Sequence, residues 1–230
     1  MTDSHDREII GGHLLVIGGA EDKYNERRIL KKFLELAGGD NAEVLIVPVA
    51  SDFPEWREVR RRNVDWLTKW EAQRVHGQPD VVEDRDAFAV RCSARQRERQ
   101  LGTGYGFGIF INGDFAGEIN LSAVQRGPFQ SAYVGYWIDE KHAGNGYMPE
   151  ALIVLAQYAF DDLHLHRIQI SIIPRNSASR RVVEKLGVRE EGIAVRYLEI
   201  NGVWEDHVRY GFTAEEWERR RDDLLRKWVG

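Results

Sequence analysis

The residues best placed to do chemistry lie in one run, Trp137-Ile138-Asp139-Glu140-Lys141-His142-Ala143-Gly144-Asn145-Gly146-Tyr147-Met148-Pro149-Glu150. An apolar, strand-like segment ends there, a loop with two glycines turns, and a helical pattern starts at once. Pro149 falls in the first helical turn, where its missing N–H costs nothing. A helix N-terminus presents unpaired N–H groups at the positive end of the dipole. Glycines let such a backbone approach a phosphate, so the loop is an anion site in principle, although a plain strand-to-helix turn can carry the same letters. The spacing fits neither Gly-x-x-x-x-Gly-Lys-Ser/Thr nor Gly-x-Gly-x-x-Gly, which excludes a P-loop and a dinucleotide fingerprint. Before the loop, period-2 alternation puts Tyr133, Gly135 and Trp137 on one strand face and Glu118 with Asn120 on one face of an earlier strand. Either group can order a water at a reacting atom, and Glu199 is a further carboxylate candidate. After the loop, Asn176 opens a helical pattern that Gly187 ends, a position where it can act as a cap. His164 and His166 stand two apart with no carboxylate or third histidine at a convincing spacing, so no metal site is expected. Cys92 is the only cysteine, which rules out a disulfide framework, a thiolate cluster and a CxxC redox pair.

The elements that must position these residues follow from periodicity. Asp52-Phe53-Pro54-Glu55 is a helix start, with helical pattern to about Trp70 and again from Asp86 to about Gln100, broken at Gly77-Gln78-Pro79. Tyr105–Ile111, Phe115–Ala123 and Gln130–Ile138 read as three strands, the first two joined by the tight-turn signal Asn112-Gly113-Asp114, hence an antiparallel meander. A helix (Met148–Asp161), a strand (His166–Ile173), a helix (Ser177–Leu186) and a hairpin (Ala194–Ile200 and Val203–Phe212, turned at Asn201-Gly202) follow. Thr213-Ala214-Glu215-Glu216 is a capping box that opens a terminal helix. The first 50 residues read instead as strand, helix, strand: His13–Ile17, Glu26–Ala37 and Val44–Val49, a pattern that makes a right-handed parallel crossover. The 230 residues, 43% hydrophobic and 30% charged, are those of an ordinary globular protein. No apolar run approaches the roughly 18–20 residues of a membrane span, and the polar start is not a signal peptide, so a cytoplasmic protein with no membrane partner is expected. The net charge of −5 argues against a dedicated nucleic-acid binder. Basic clusters at Arg57, Arg60, Arg61, Arg62 and at Arg91, Arg95, Arg97, Arg99 read as solvated helix faces interleaved with Glu55, Glu58 and Glu98.

With these elements around it, the loop Lys141-His142-Ala143-Gly144-Asn145-Gly146 resembles the Arg/Gln-x-x-Gly-x-Gly/Ala pyrophosphate loop of the GNAT N-acetyltransferases, with lysine in the first place as a departure. Within that superfamily the chain is most similar to the ribosomal-protein-alanine N-acetyltransferases. The segments that carry this are Asn63–Glu71, Gly135-Tyr136-Trp137, Leu163–Ile168, Pro174-Arg175-Asn176 through Glu184-Lys185-Leu186-Gly187, and Gly202–Val208, in family order across about residues 53–217. The resemblance implies an α/β acyl-CoA N-acyltransferase fold, with a mixed, mostly antiparallel sheet and flanking helices. It also implies acetyl-CoA as co-substrate in a cleft where the strand ending at Ile138 splays from the strand His166–Ile173. Ala143, Gly144, Asn145, Gly146, Tyr147 and Met148 would give N–H bonds to the pyrophosphate, and the backbone of Trp137, Ile138 and Asp139 would pair with the pantetheine. Asn176 and Ser179 match the family's Asn-x-x-Ser, which makes Asn176 a cofactor contact and Ser179 the acid for the departing thiolate. Many family members carry glutamate where this chain has Tyr133; Tyr133 or Glu118 would then order the water that deprotonates the amine, whose unperturbed pKa is about 8. The implied acceptor is the N-terminal alanine of a small-subunit ribosomal protein, with Trp66, Trp70 and Glu71 near its entrance. A small-molecule or antibiotic amine acetyltransferase, and an inactive CoA-binding or ribosome-associated module, are the alternatives.

Residues from about 9 to 52 are similar to something else. Gly12–Lys23, Ile29–Gly39 and Val44–Ser51 resemble the opening β-α-β unit of cyanophycinase, a serine peptidase, but no Gly-x-Ser-x-Gly elbow follows, so the resemblance implies no peptidase activity. The expected organisation is therefore an incomplete, non-catalytic segment at 1–52 and an acetyltransferase domain at 53–230. Val44–Val49 would serve both pieces as the first acetyltransferase strand, and Leu14–Ile17 would add parallel outside it.

Overall fold

The computed structural model of the protein describes residues 44–47, 52–73 and 77–229. The expected strand at His13–Ile17 and helix at Glu26–Ala37, and with them the cyanophycinase-like unit, lie outside the described residues. The chain order is β1 (Val44–Val47), α1 (Phe53–Arg62), α2 (Val64–Leu67) with a 3-10 turn (Thr68–Trp70), α3 (Arg85–Leu101), β2 (Tyr105–Ile111), β3 (Asp114–Gln125), β4 (Ser131–Ile138), α4 (Tyr147–Gln157), β5 (Arg167–Ile172), α5 (Ser177–Lys185), β6 (Arg189–Ile200), β7 (Val203–Thr213) and α6 (Ala214–Trp228). Among the described residues one seven-stranded sheet has the order β1-β2-β3-β4-β5-β7-β6. Every neighbouring pair is antiparallel except β4 and β5. β1 pairs with β2, antiparallel to it, with Val44 opposite Ile111 and Val47 opposite Gly108.

Alternating side chains divide between two cores, one on each sheet face. Phe107, Ile109, Ile119, Leu121, Ile168, Ile170, Tyr210 and Phe212 face α4 and α6. Helix α4 is apolar almost all round, with Met148 through Ala156 buried, as befits a helix packed between a sheet and α6. On the opposite face Trp56, Val59 and Phe88 from α1 and α3 pack on Phe110 and Phe115. The helices begin where their caps direct: Asp52 accepts from the Glu55 N–H at 3.0 Å, Asp84 from Asp86 and Ala87, and Thr213 with Glu216 forms the reciprocal capping box.

The element that opens the site is the parallel pair. β4 and β5 are in register only from Ser131 opposite Arg167 to Val134 opposite Ile170. Beyond Val134, β4 runs on to Ile138 bonded to β3 alone, so one edge of its last four residues is free of the ladder. Gly117 allows the β3–β4 side of that stretch to close: a Cβ there would lie 2.3 Å from the Trp137 carbonyl oxygen.

Two expectations change. The strand placed at Ala194–Ile200 begins at Arg189, its irregularity coming from register shifts on either side of Ile193 and a positive φ at Arg196. The helix placed over Met148–Asp161 ends its α-helical part at Gln157 and finishes as a π turn, Tyr158–Asp162.

Candidate active site

A cavity of about 420 Å³ occupies the splay between β4 and β5. Its wall draws on β4 (Gly135, Tyr136, Trp137, Ile138), the loop and first turn of α4 (His142 to Gly144 and Gly146 to Pro149), and α5 with its cap (Asn176, Ala178, Ser179). Trp66, Leu67, Trp70 and Glu71 also line it, with Asn120 beside Gly135. Glycine 135 leaves room for that amide: a Cβ there would sit 2.9 Å from Asn120 Oδ1.

The glycine loop is shaped by its backbone. Gly144 and Gly146 have φ of +88° and +97°, which L side chains rarely adopt, and Gly146 is the N-cap of α4. A Cβ on Gly144 would meet nothing within 4 Å, so the backbone lies open on that side. Tyr147 and Met148 occupy the first helical positions, whose N–H groups have no partner within the helix, while Glu150 N–H returns to the Gly146 carbonyl at 3.2 Å. Helix N-terminal donors, two glycines and no carboxylate side chain in the loop suit a phosphate. The expected donor set shrinks at two places. Ala143 N–H is already given to the Glu140 carbonyl at 3.0 Å, and Asp139 N–H to the Ala116 carbonyl at 2.7 Å. Ala143 lines the cavity as a surface, and Asp139 does not reach it.

Asp139 has another task. Its carboxylate, with 3% of the side chain exposed, takes bonds from Arg62, from Asn63 Nδ2 at 2.9 Å and from Lys141 N–H at 3.4 Å. Burial raises its carboxyl; the bonds from Arg62 and Asn63 and the Arg62 charge outweigh that and hold it below the ordinary value. Asn63 is itself 1% exposed, and its Oδ1 accepts from the Glu140 N–H at 2.9 Å. The α1–α2 corner is thereby latched to the loop that carries the glycines. Asn145 also stays outside the wall, its Nδ2 donating to the His142 carbonyl at 3.3 Å.

Of the three catalytic candidates, the structure brings one into the cavity. Ser179 lies in its wall, its Oγ–H given to Tyr136 Oη at 3.0 Å. Asn176 caps α5 by accepting from the Ser179 N–H at 3.1 Å, and it also lines the cavity, so capping and contact are compatible: Oδ1 is spent and Nδ2 is left for a ligand. Tyr133 is absent from the wall because it precedes the splay, opposite Gln169 on β5. Burial, then Tyr197, raises the Tyr133 hydroxyl.

Glu118 is also displaced from the role expected of it. It is 4% exposed and accepts from Arg91 at 2.6 Å, Arg95 at 3.0 Å and Trp137 Nε1 at 2.9 Å. Burial pushes its carboxyl up, but Arg91 and Arg95 outweigh burial and keep it below the ordinary carboxylate value. Trp137 stands in the cavity wall and Glu118 does not. Of the first arginine cluster, Arg57 and Arg61 meet at Glu83 on the exposed surface, Arg60 binds Glu71 through two bonds of 2.7 Å, and Arg62 binds the buried Asp139. Their partners are distant in sequence rather than the neighbouring Glu55, Glu58 and Glu98.

The part of the wall around Trp66 and Trp70 is aromatic and cationic. Lys69 lies over Trp66 and Trp70 at 5.3 Å from each ring, Arg175 over Trp70 at 5.2 Å, and Trp66 Nε1 donates to the Ile138 carbonyl at 3.1 Å. The Glu71 carbonyl accepts from the Asn201 N–H at 2.9 Å, fastening the β6–β7 turn to this rim. Tyr136 also lines the cavity, a position that the grouping of 133, 135 and 137 leaves out because alternation turns it to the opposite strand face. Away from the cavity, His166 bonds Glu215 at 2.9 Å, and no group of three metal-ligating side chains occurs among the described residues. No helix among them is long and apolar enough to cross a membrane.

A strand splayed from its parallel neighbour, beside a helix N-terminus built for phosphate and a hydroxyl at the fork, is the architecture of an acyl-CoA-dependent transferase. Comparison with known proteins agrees. The chain belongs to the family described as Acetyltransferase (GNAT) domain, whose model matches residues 44–189. It is an acyltransferase enzyme with acetyl-CoA as acetyl donor. It is 44% identical over 119 residues to the probable N-acetyltransferase YjcK of Bacillus subtilis (strain 168), covering 51% of this chain and 66% of that protein. It is 32% identical over 179 residues to the [Ribosomal protein uS5]-alanine N-acetyltransferase of Escherichia coli (strain K12), covering 75% and 89% of the two chains. Mycobacterium smegmatis RimJ in complex with CoA-disulfide superposes with a TM-score of 0.74 at 32% identity, over 80% of this chain and 88% of that one.

Proposed function

We propose that this enzyme acetylates the N-terminal α-amine of a ribosomal protein, an alanine-first chain of the small subunit. The observation that carries the reading is one cavity whose wall combines the glycine loop and Ser179 with Trp66, Trp70 and Glu71. A thioester held on the glycine loop presents its carbonyl at the β4–β5 fork, and an amine enters beside the tryptophans. The similarity to the uS5-alanine acetyltransferase, across 89% of that protein, supports the choice of acceptor. A ribosomal substrate places the enzyme in the cytoplasm.

In this reading Gly144, Gly146, Tyr147 and Met148 hold the cofactor phosphates, and Asn176 Nδ2 and the Ile138 N–H on the free edge of β4 hold the pantetheine, the Trp137 carbonyl being turned to β3 and the Ile138 carbonyl taken by Trp66. Ser179 protonates the departing sulfur. With Glu118 and Tyr133 outside the cavity, Asn120 is the polar group on that sheet face left to order a water at the amine, which, with a pKa near 8, needs only one proton removed. Trp66 and Trp70 flank the entering chain, and Glu71, steadied by Arg60, faces its ammonium before deprotonation.

The test is thiol release from acetyl-CoA with a panel of alanine-first, serine-first and N-blocked peptides and of aminoglycosides and polyamines, with the product located by mass spectrometry. Acetylation confined to the α-amine of alanine-first peptides is expected. Rapid turnover of small amines with alanine-first peptides untouched would refute the acceptor, and thiol release with none of them would refute the reaction.

A further inference from the structure

Tyr136 is a half-buried titratable group in the cavity wall to which the reading above gives no part. Its hydroxyl touches one residue twice. It donates to the Ser179 carbonyl oxygen at 3.2 Å and accepts the Ser179 Oγ–H at 3.0 Å. In this resting arrangement the serine hydrogen is engaged by the phenol rather than offered to a ligand. For Ser179 to protonate a leaving sulfur, that hydrogen must turn away, and Oγ then becomes strongly basic as its proton leaves. The Tyr136 hydrogen lies within reach of both Ser179 oxygens, so it can swing from the carbonyl to Oγ by rotation of the hydroxyl alone. Burial raises the phenol well above its ordinary value, which keeps it protonated.

We propose that Tyr136 is the proton reserve behind Ser179, a positioning residue that acts through the serine hydroxyl. The inference rests on Ser179 as the acid. The amine nitrogen forms its bond to the thioester carbonyl carbon, the C–S bond breaks, and its electron pair stays on sulfur. The Ser179 Oγ proton passes to sulfur, the Tyr136 Oη proton passes to Oγ, and the proton shed by the new amide nitrogen returns to Tyr136 through water. Because burial disfavours a free phenolate, the first two transfers belong to one event, with two protons in flight.

The experiment is a double-mutant cycle of S179A, Y136F and the pair on the full chain. Its readouts are kcat with acetyl-CoA and an alanine-first peptide, acetyl-CoA affinity by calorimetry, and the proton inventory in H2O–D2O mixtures. Y136F is expected to lower kcat about tenfold to a hundredfold, within the range of general-acid effects, with acetyl-CoA affinity unchanged. The pair should be no slower than S179A, and the wild-type inventory should be curved where that of Y136F is linear. Full activity in Y136F, multiplicative losses in the pair, or curvature that survives Y136F would overturn the relay while leaving Ser179 as the acid. Full activity in S179A would sink the Ser179 reading itself, and the relay with it. If Y136F does not fold, ring-fluorinated tyrosine at this position alters phenol acidity with little change of shape; a kcat indifferent to fluorination overturns the proposal equally.

Discussion

Replacing Glu118 separates an anchor from a base. In the structure its carboxylate, 6% exposed at the side chain, binds two guanidinium groups, Arg91 and Arg95, whose side chains are 20% and 30% exposed, and the Trp137 indole N–H. E118A would leave two partly buried positive charges and one indole donor without their acceptor. Removing one partner of a buried ion pair costs about 3–5 kcal/mol, and the partial exposure of both arginines puts this case near about 3. For a chain of this size that corresponds to a fall in Tm of roughly 6–12 °C. E118Q keeps an acceptor oxygen, fills the same space and forfeits only the charge, so its loss should be nearer 1–2 kcal/mol. The activity prediction runs the other way from that for a catalytic base. A glutamine at 118 should keep Trp137 in the cavity wall, with kcat within about threefold of wild type and an unchanged pH–rate profile, whereas loss of a general base costs about 10²–10⁴-fold. Because the folded-state carboxyl titrates below its unfolded value, its contribution to stability is complete above the unfolded value of about 4.3. That contribution is lost as pH falls through the folded value, so the Tm gap between wild type and E118Q should narrow in acid. Scanning calorimetry and a steady-state pH series decide the matter. A folded E118Q with kcat down a hundredfold and its basic limb altered would make Glu118 the base; an E118A with unchanged Tm would refute the anchoring argument.

Bulky side chains at both Gly144 and Gly146 should abolish acetyl-CoA binding measured by calorimetry, since both positions hold φ near +90° and the backbone must stay bare beside a phosphate; unchanged affinity in a folded variant would remove the loop from the cofactor site. We also propose that the catalytic unit starts at β1 rather than at residue 53, so deletion of residues 1–42 should preserve most activity, while deletion through 51 removes the strand paired with β2 and should abolish folding by circular dichroism. Equal tolerance of the two truncations would refute the shared-strand organisation.

The fold was legible wherever a local pattern and a global contact made the same demand. β2 needed alternation and a turn at Asn112-Gly113, and both are local, so its bounds agree with the structure to the residue. The capping box at Thr213 is equally local. The start of β6 is not legible, because Arg189, Glu190 and Glu191 carry no apolar alternation: Arg189 and Glu190 pair with Gly211 and Tyr210 of β7, and Glu191, skipped at the register shift, binds Arg167 across the sheet. The π turn after α4 gives no sequence signal, since it is imposed by packing.

The site divides along the same line, and Glu118 shows why. Period-2 alternation correctly puts it on one face with Asn120, but a strand face is longer than a cavity. Whether a given residue on that face meets solvent, ligand or another helix depends on what crosses it, and here α3 brings Arg91 and Arg95 over Glu118 while Asn120, two residues on, stands clear beside Gly135. Arginines spaced four apart look like a solvated helix face from sequence, and nothing local says that they converge on one buried carboxylate. The glycine loop fails in the same way at finer scale. The letters announce a bare backbone, but Ala143 N–H is consumed by a 3-10 turn through Glu140 and Asp139 N–H by the start of β3. A motif therefore locates where donors gather, while the hydrogen bonds around it decide which of them remain to be given.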